Sequence, residues 1–125
     1  LLLDAEVQTA EVPAGGPLRV RLVWRGLEVL GRDYTVFVQV VGPDGQVYGQ
    51  ADSWPVQGTR PTSRWAVGEE IEDPYSFFVD TTGPAGAYRV IVGWYLLEDM
   101  TRLTVVDSAG NPLGDFHEIG AFDLP

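Results

Sequence analysis

Apolar and polar side chains alternate along most of this chain, and this alternation constrains the fold more than any other feature. Between Leu18 and Trp24 every second residue is apolar, and two of the three residues between them are arginines. Segments 34–40, 71–79 and 88–94 repeat the alternation. No stretch long enough for an amphipathic helix keeps the i, i+3, i+4, i+7 spacing. The sequence therefore predicts a nearly all-β chain in which each strand has one core face.

Glycine, proline and aspartate separate these segments at short intervals. "GPDGQ", residues 42–46, predicts a hairpin turn, because proline presets φ and Gly45 accepts a positive φ. "TTGPAG" at 81–86 and "SAGNPLGD" at 108–115 predict further turns. With the amino-terminal "LLLDAEVQTA", the count is about eight short strands. We predict an antiparallel β-sandwich of jelly-roll or immunoglobulin-like type.

Charge and cysteine content exclude several kinds of function. The 125 residues include 18 acidic and 8 basic side chains, which gives a formal net charge of -10 at pH 7. Because this charge repels phosphate backbones, we expect no nucleic-acid partner. Cysteine is absent, which excludes disulfides, thiolate metal sites and thiol nucleophiles. We expect one domain, residues 1–125, without a cofactor.

Patterns that would indicate catalysis are sparse. The only histidine, His117, lies in a predicted terminal strand, and no serine lies in the G-x-S-x-G elbow of hydrolases. Carboxylates are so numerous that a close pair would not be specific for a glycosidase. The run Glu69, Glu70, Glu72 and Asp73 is more typical of a solvated strand edge than of a calcium site. We predict no catalytic residue and no metal ligand, and an enzyme acting on glycosides is a remote alternative.

"PTSRWAVGEE", residues 61–70, falls largely within the longest segment without strand character, from about residue 53 to 68. Two interpretations stay open. In the first, the segment binds carbohydrate, with aromatic rings for sugar faces and charged groups for hydroxyls, through Asp52, Trp54, Arg60, Arg64 and Trp65. In the second, Trp54 and Trp65 cap the open end of the sandwich. Bracing does not explain the arginines, so Arg60 and Arg64 are the first candidates for ligand contact.

The other face of the central strands is a second candidate surface. Side chains expected to lie side by side there, around Gly93, are Arg21, Phe37, Gln39, Ile91 and Tyr95. The alternative is that a neighbouring domain covers this face, because "YRVIVGWYL" is apolar on both sides.

Tyr88 follows "PAGA" at the entrance of a predicted strand. This position predicts a tyrosine corner, in which the hydroxyl bonds to the backbone of the preceding loop.

Several stretches, taken together, resemble a known family. They are "LVWRG", "DYTVFVQVVGPDGQVYGQADSWPVQGTRPTSRW", "VGEEIEDPYSFFV", "PAGAYRVIVGWYL" and "TRLTVVDSAGNPLGD". The set resembles the carboxy-terminal soluble domain of multi-spanning bacterial glycosyltransferase-like membrane proteins, relatives of the dolichyl-phosphate-mannose protein mannosyltransferases. The resemblance covers nearly the whole chain and is most specific in "DYTVFVQ" and "PTSRWAVGE". The chain departs from it at "WYLLEDMTR", where a short polar hairpin is expected.

This resemblance implies an extracytoplasmic domain, periplasmic or at the cell surface, excised from a longer protein and tethered to the membrane through the missing amino-terminal part. It implies a non-catalytic accessory role with no catalytic residues to carry over. The implied partner is the membrane domain of the same chain. The resemblance assigns no ligand, and the ligand, if there is one, is expected to be a glycan. The alternative function is a free-standing carbohydrate-binding module.

Overall fold

A computed structural model describes all residues, Leu1–Pro125. Its regular structure is nearly all β, which confirms the prediction from alternation, and the only helical segments are 3-10 turns at Val12–Ala14 and Thr62–Arg64. The strands in chain order are β1 (Leu2–Gln8), β2 (Leu18–Arg25), β3 (Thr35–Val41), β4 (Val47–Ser53), β5 (Glu70–Phe77), β6 (Gly86–Leu96), β7 (Thr101–Leu103), β8 (Val105–Val106), β9 (Pro112–Gly114) and β10 (His117–Leu124). The structure contains no helix with the length and hydrophobicity needed to cross a lipid bilayer.

The strands beyond the expected number come from residues 101–114. "TRLTVVD" divides into β7 and β8, and the predicted turn "SAGNPLGD" contains β9, which pairs with β8. The turn itself is shorter than expected, because the carboxylate of Asp107 accepts the backbone N–H groups of Ala109 and Asn111. Residues after Asn111 are therefore free to pair as a strand.

The strands form two main antiparallel sheets. One has the order β1-β2-β5, and the other has the order β10-β6-β3-β4 with β7 also paired to β6. In immunoglobulin-like sandwiches, the first, second and fifth strands similarly lie in one sheet, opposite the third strand and its hairpin neighbours. The strand order therefore matches the immunoglobulin-like alternative rather than the jelly roll.

The core lies between these two sheets, where their alternating apolar faces meet in one cluster of 19 buried residues. Every second side chain of β2 is buried, from Leu18 to Trp24. Trp24 and Trp94, from opposite sheets, meet edge to face with ring centroids 4.7 Å apart. This aromatic pair adds to the stabilisation from burial alone.

The sandwich has two ends, which differ in composition. The tryptophan end comprises loops 26–34, 54–69 and 97–100, and the tyrosine end comprises loops 9–17, 42–46 and 78–85. At the tyrosine end, the Tyr88 hydroxyl donates to the Pro84 carbonyl at 2.6 Å, which confirms the predicted tyrosine corner. The Tyr88 ring stacks on Phe122 with centroids 5.5 Å apart.

Candidate functional site

Loop 54–69 crosses the tryptophan end and begins with a tight left-handed turn. Val56, Gln57 and Gly58 have φ values of 54, 56 and 86 degrees. The Gly58 N–H donates to the Trp54 carbonyl at 2.9 Å and closes the turn. A β-branched residue is strained at positive φ, so other contacts must hold Val56 there. The main one is a hydrogen bond of 2.7 Å from the Val56 N–H to the carboxylate of Asp73.

Asp73 is a buried carboxylate beneath this turn. Its second oxygen accepts the Trp24 indole N–H at 3.2 Å and the Tyr75 hydroxyl at 2.8 Å. Burial raises the pKa of Asp73, while the hydrogen bonds from Val56, Tyr75 and Trp24 oppose that rise. The carboxylate thus ties the start of the loop to two neighbouring strands of the three-stranded sheet.

The prediction of a solvated acidic run is wrong for Asp73. Glu70 and Glu72 are exposed, whereas Asp73 has no solvent exposure. The reason is the alternation of β5, which turns Ile71, Asp73 and Tyr75 towards the core. Sequence reasoning missed Asp73 as a residue of the site, although its spacing from Ile71 and Tyr75 was the signal that could have found it.

The two tryptophans of the loop lie in different environments. Trp65 is 6% exposed and packs edge to face on Trp94, with ring centroids 5.7 Å apart. Its indole N–H donates to the Arg60 carbonyl at 2.9 Å. Trp54 is 43% exposed. The capping interpretation therefore describes Trp65 and not Trp54, whose ring is available to a ligand.

The two arginines of the loop also differ. The Arg60 guanidinium pairs with Glu69, whose pKa is lowered first by a hydrogen bond from the Ala66 N–H and then by Arg60. The Arg60 backbone N–H donates to the Pro55 carbonyl at 3.0 Å. Arg64 is exposed at the end of the 3-10 turn and forms none of the ion pairs in the structure. Arg60 thus helps to hold the loop in place, whereas no contact of this kind explains Arg64.

Asp52 lies on β4, directly before the loop, and is exposed. Its carboxylate accepts the Tyr95 hydroxyl at 2.7 Å. Burial and this carboxylate raise the pKa of Tyr95 to about 12. Of the five residues predicted to bind carbohydrate, the structure leaves Asp52, Trp54 and Arg64 exposed, and Arg60 is half-buried and Trp65 buried.

The second candidate surface is only partly as expected. Phe37 pairs with Gly93 and Gln39 with Ile91, so these residues do share the outer face of the five-stranded sheet. Arg21 does not, because it lies on β2 of the other sheet.

This outer face is covered by the chain itself. Phe37 is 2% exposed, and the Arg102 guanidinium carbon lies 4.9 Å from the centroid of its ring. The backbone at Asp115 passes over Gly93, where an added Cβ would lie 2.8 Å from the Asp115 carbonyl oxygen. Coverage of Phe37 therefore requires no neighbouring domain.

No group of three or more histidine, aspartate or glutamate side chains is placed to hold a metal ion. Comparison with known protein-family models finds no match. A search of curated proteins also finds no match.

Proposed function

We propose that this chain is a non-catalytic extracytoplasmic accessory domain of a membrane-bound glycosyltransferase-like protein, and that it binds glycan through loop 54–69. The glycan part of the proposal is carried by the exposure of Trp54. Trp54 is 43% exposed, whereas the other three tryptophans are 6% exposed or less. An exposed aromatic ring offers an apolar face with little loss of conformational freedom on binding, which suits the apolar face of a sugar ring.

Polar groups near Trp54 in the sequence supply the hydrogen bonds that sugar hydroxyls need. Arg64 offers guanidinium N–H donors that no carboxylate of the protein occupies. Asp52 offers a carboxylate that already accepts one hydroxyl, from Tyr95. An aromatic platform with a few polar groups is typical of small-molecule binding sites.

The backbone beside Trp54 is held in place before any ligand arrives. The left-handed turn at Val56 is tied to the buried Asp73, and the Gly58 N–H bonds to Trp54 itself. Preorganisation reduces the conformational entropy that binding would otherwise lose. Backbone strain of this kind is concentrated at binding and catalytic sites in proteins.

Tryptophan fluorescence tests glycan binding. Neutral oligosaccharides of mannose, glucose and N-acetylglucosamine would be titrated to millimolar concentration into the wild type, Trp54→Phe and Arg64→Ala. We expect a saturable change in the wild type, its loss in Trp54→Phe, and an affinity about tenfold weaker in Arg64→Ala. Phe78→Ala is the matched control, because Phe78 is 72% exposed but lies at the tyrosine end. A wild type that responds to none of these sugars would refute the glycan part of the proposal.

The membrane tether rests on the sequence resemblance and is tested separately. The coding sequence upstream of Leu1 should encode several apolar runs of about 20 residues. A single cleavable signal directly before the domain would instead favour the free-standing carbohydrate-binding module.

Contact with the membrane domain of the same chain is supported by the tryptophan end. Besides Trp54, eight large apolar side chains are exposed, and five of them lie at this end: Leu27, Val29, Val67, Leu97 and Met100. Clustering of exposed apolar side chains marks interaction surfaces.

Because the chain has no cysteine, thiol labelling of single-cysteine variants tests this contact. Val67→Cys at the tryptophan end should react with a water-soluble maleimide more slowly in the longer protein than in the isolated domain. Val47→Cys, at the tyrosine end, should react equally fast in both. Equal rates for Val67→Cys would exclude this contact.

A further inference from the structure

The tryptophan end contains a cleft of about 220 Å³. We propose that this cleft binds the alkyl chain of a neutral amphiphile. Trp54 is not among the residues that line it. The inference therefore concerns a separate site and does not depend on glycan binding at Trp54.

The walls of the cleft are mainly apolar. Nine of its 14 lining residues are apolar, among them Trp24, Trp65, Trp94, Leu30, Leu103 and Val105. Apolar cavities of about 150 Å³ stay free of water and take up small apolar guests. This cleft, at about 220 Å³, is large enough for a short alkyl segment, and its three indole rings provide apolar walls, although it is open to solvent on one side.

Three of the polar groups in these walls are already hydrogen-bonded within the protein. The indole N–H groups of Trp24 and Trp65 donate to Asp73 and to the Arg60 carbonyl. The Thr62 hydroxyl both accepts a backbone N–H and donates to a backbone carbonyl. A sugar beside these three groups would bury hydroxyls for which they offer no free donor, which weakens binding. An alkyl chain has no polar groups and needs no hydrogen-bond partners in the cleft.

The mouth of the cleft indicates the kind of head group. Leu27 lines the cleft and is 53% exposed, so it extends the apolar path towards solvent. Two charged side chains also line it, the exposed Glu28 and Arg25, whose guanidinium pairs with Glu70. The whole chain has a net charge of -10. Because Arg25 is already paired and the net charge is negative, carboxylate and phosphate head groups are disfavoured. A neutral head group remaining in water fits both observations.

A Trp54→Phe background makes the test specific for the cleft. The three tryptophans that remain all line it, so quenching of their fluorescence reports on this site alone. The probe is a neutral alkyl glucoside with bromine at the end of its chain, used below its micelle concentration, because bromine quenches indole on contact. We expect saturable quenching, with affinity rising about fourfold for each added methylene until the cleft is filled. Methyl glucoside, which has the head group alone, should have no effect.

Two threonine substitutions provide the matched comparison. Thr104 and Thr101 are both exposed, but only Thr104 lines the cleft. Thr104→Phe should weaken binding of the brominated glucoside at least tenfold, and Thr101→Phe should leave it unchanged. Leu30→Phe narrows the cleft from another wall and should weaken binding to a similar extent, so the test does not depend on one variant folding.

The proposal is overturned if quenching does not saturate, or if Thr104→Phe and Leu30→Phe bind as tightly as Thr101→Phe while all three melt as folded proteins. A brominated fatty acid that binds as tightly as the glucoside would overturn the assignment of a neutral head group. Because Trp54 is absent from this background, failure here leaves the glycan proposal unaffected, and failure of glycan binding leaves this one unaffected.

Discussion

The two ends of the sandwich are closed by different kinds of contact. At the tyrosine end, the hydroxyls of Tyr88 and Tyr48 bond to Pro84 and Asp44, each partner being 4 residues away in the chain. The two tyrosine rings meet edge to face with centroids 5.4 Å apart. At the tryptophan end, a long loop spans the opening and a cleft of about 220 Å³ remains. The tyrosine end is held by local contacts, and the tryptophan end has a mainly apolar cleft and most of the exposed large apolar side chains.

Sequence separation explains the difference. Important contacts of loop 54–69 join it to residues far along the chain, such as Val56 to Asp73 at a separation of 17 and Thr62 to Tyr34 at a separation of 28. Such contacts form only when both sheets are in place, because long loops must close first. The tyrosine corner needs little more than the start of one strand. The open end therefore depends on the tertiary structure, and it is also the end that carries both proposed sites.

The largest expected effect is that of Trp65→Ala, which tests whether the tryptophan end is braced by this side chain. Trp65 is 6% exposed and packs on Trp94. Truncating a buried aromatic side chain lowers the free energy of unfolding by about 3 to 5 kcal/mol. Urea denaturation would measure the change. A loss below about 1 kcal/mol would mean that the loop is held without Trp65.

Asp73→Ala tests the contact between the core and the strained turn. The substitution leaves the N–H groups of Val56 and Trp24 and the Tyr75 hydroxyl without their acceptor. Relief of the buried charge offsets part of this loss, so we expect the free energy of unfolding to fall by about 2 kcal/mol. Quenching of Trp54 by iodide should also change, because the turn beside it is released. Unchanged stability and unchanged quenching would show that the turn keeps its conformation without Asp73.

The pH dependence of stability tests the charge on Asp73. Burial raises the pKa of Asp73 in the folded state above the ordinary value of 3.8. The Asp73 carboxylate is therefore protonated more readily in the folded state than in the unfolded state. The resulting stabilisation is complete below 3.8 and is lost as pH rises through the folded pKa. Asp73→Asn removes this pH-dependent stabilisation, because asparagine has no titrating group. The stability of the wild type relative to Asp73→Asn should therefore increase as pH falls from neutrality, and a constant difference would contradict the raised pKa.

Tyr88→Phe tests the local contacts of the tyrosine end. The substitution removes the hydrogen bond to the Pro84 carbonyl and keeps the ring that stacks on Phe122. We expect the melting temperature to fall by roughly 3 to 6 °C, as for the loss of one hydrogen bond. A neutral result by differential scanning calorimetry would mean that ring packing alone closes this end.

The smallest expected effect is that of Trp54→Ala, at the open end. An exposed side chain contributes little to folding, so the free energy of unfolding should change by less than about 0.5 kcal/mol. Phe78→Ala, the exposed counterpart at the tyrosine end, should behave in the same way. A loss comparable to that of Trp65→Ala would show that Trp54 also braces the loop.

Part of the candidate site could be predicted from the sequence. Loop 54–69 stands out as a long segment between strands, and its aromatic and charged residues are evident from composition. Exposure could not be predicted, because Trp54 and Trp65 lie in irregular backbone where no periodicity assigns a side chain to the core. The burial of Asp73 was predictable in principle, since the strand alternation includes it, but its charge favoured the opposite interpretation.

The sequence by itself determined the strands outside residues 101–114, the hairpin at 42–46 and the tyrosine corner, because alternation, turn residues and contacts within a few positions are local properties of the backbone. Only the tertiary structure decided that Arg21 lies on the other sheet from Phe37, that Asp73 holds Val56, and that Trp65 is buried while Trp54 is exposed. Alternation specifies which side of a strand a residue occupies. Which sheet the strand joins, and what covers it, depends on pairing between distant segments.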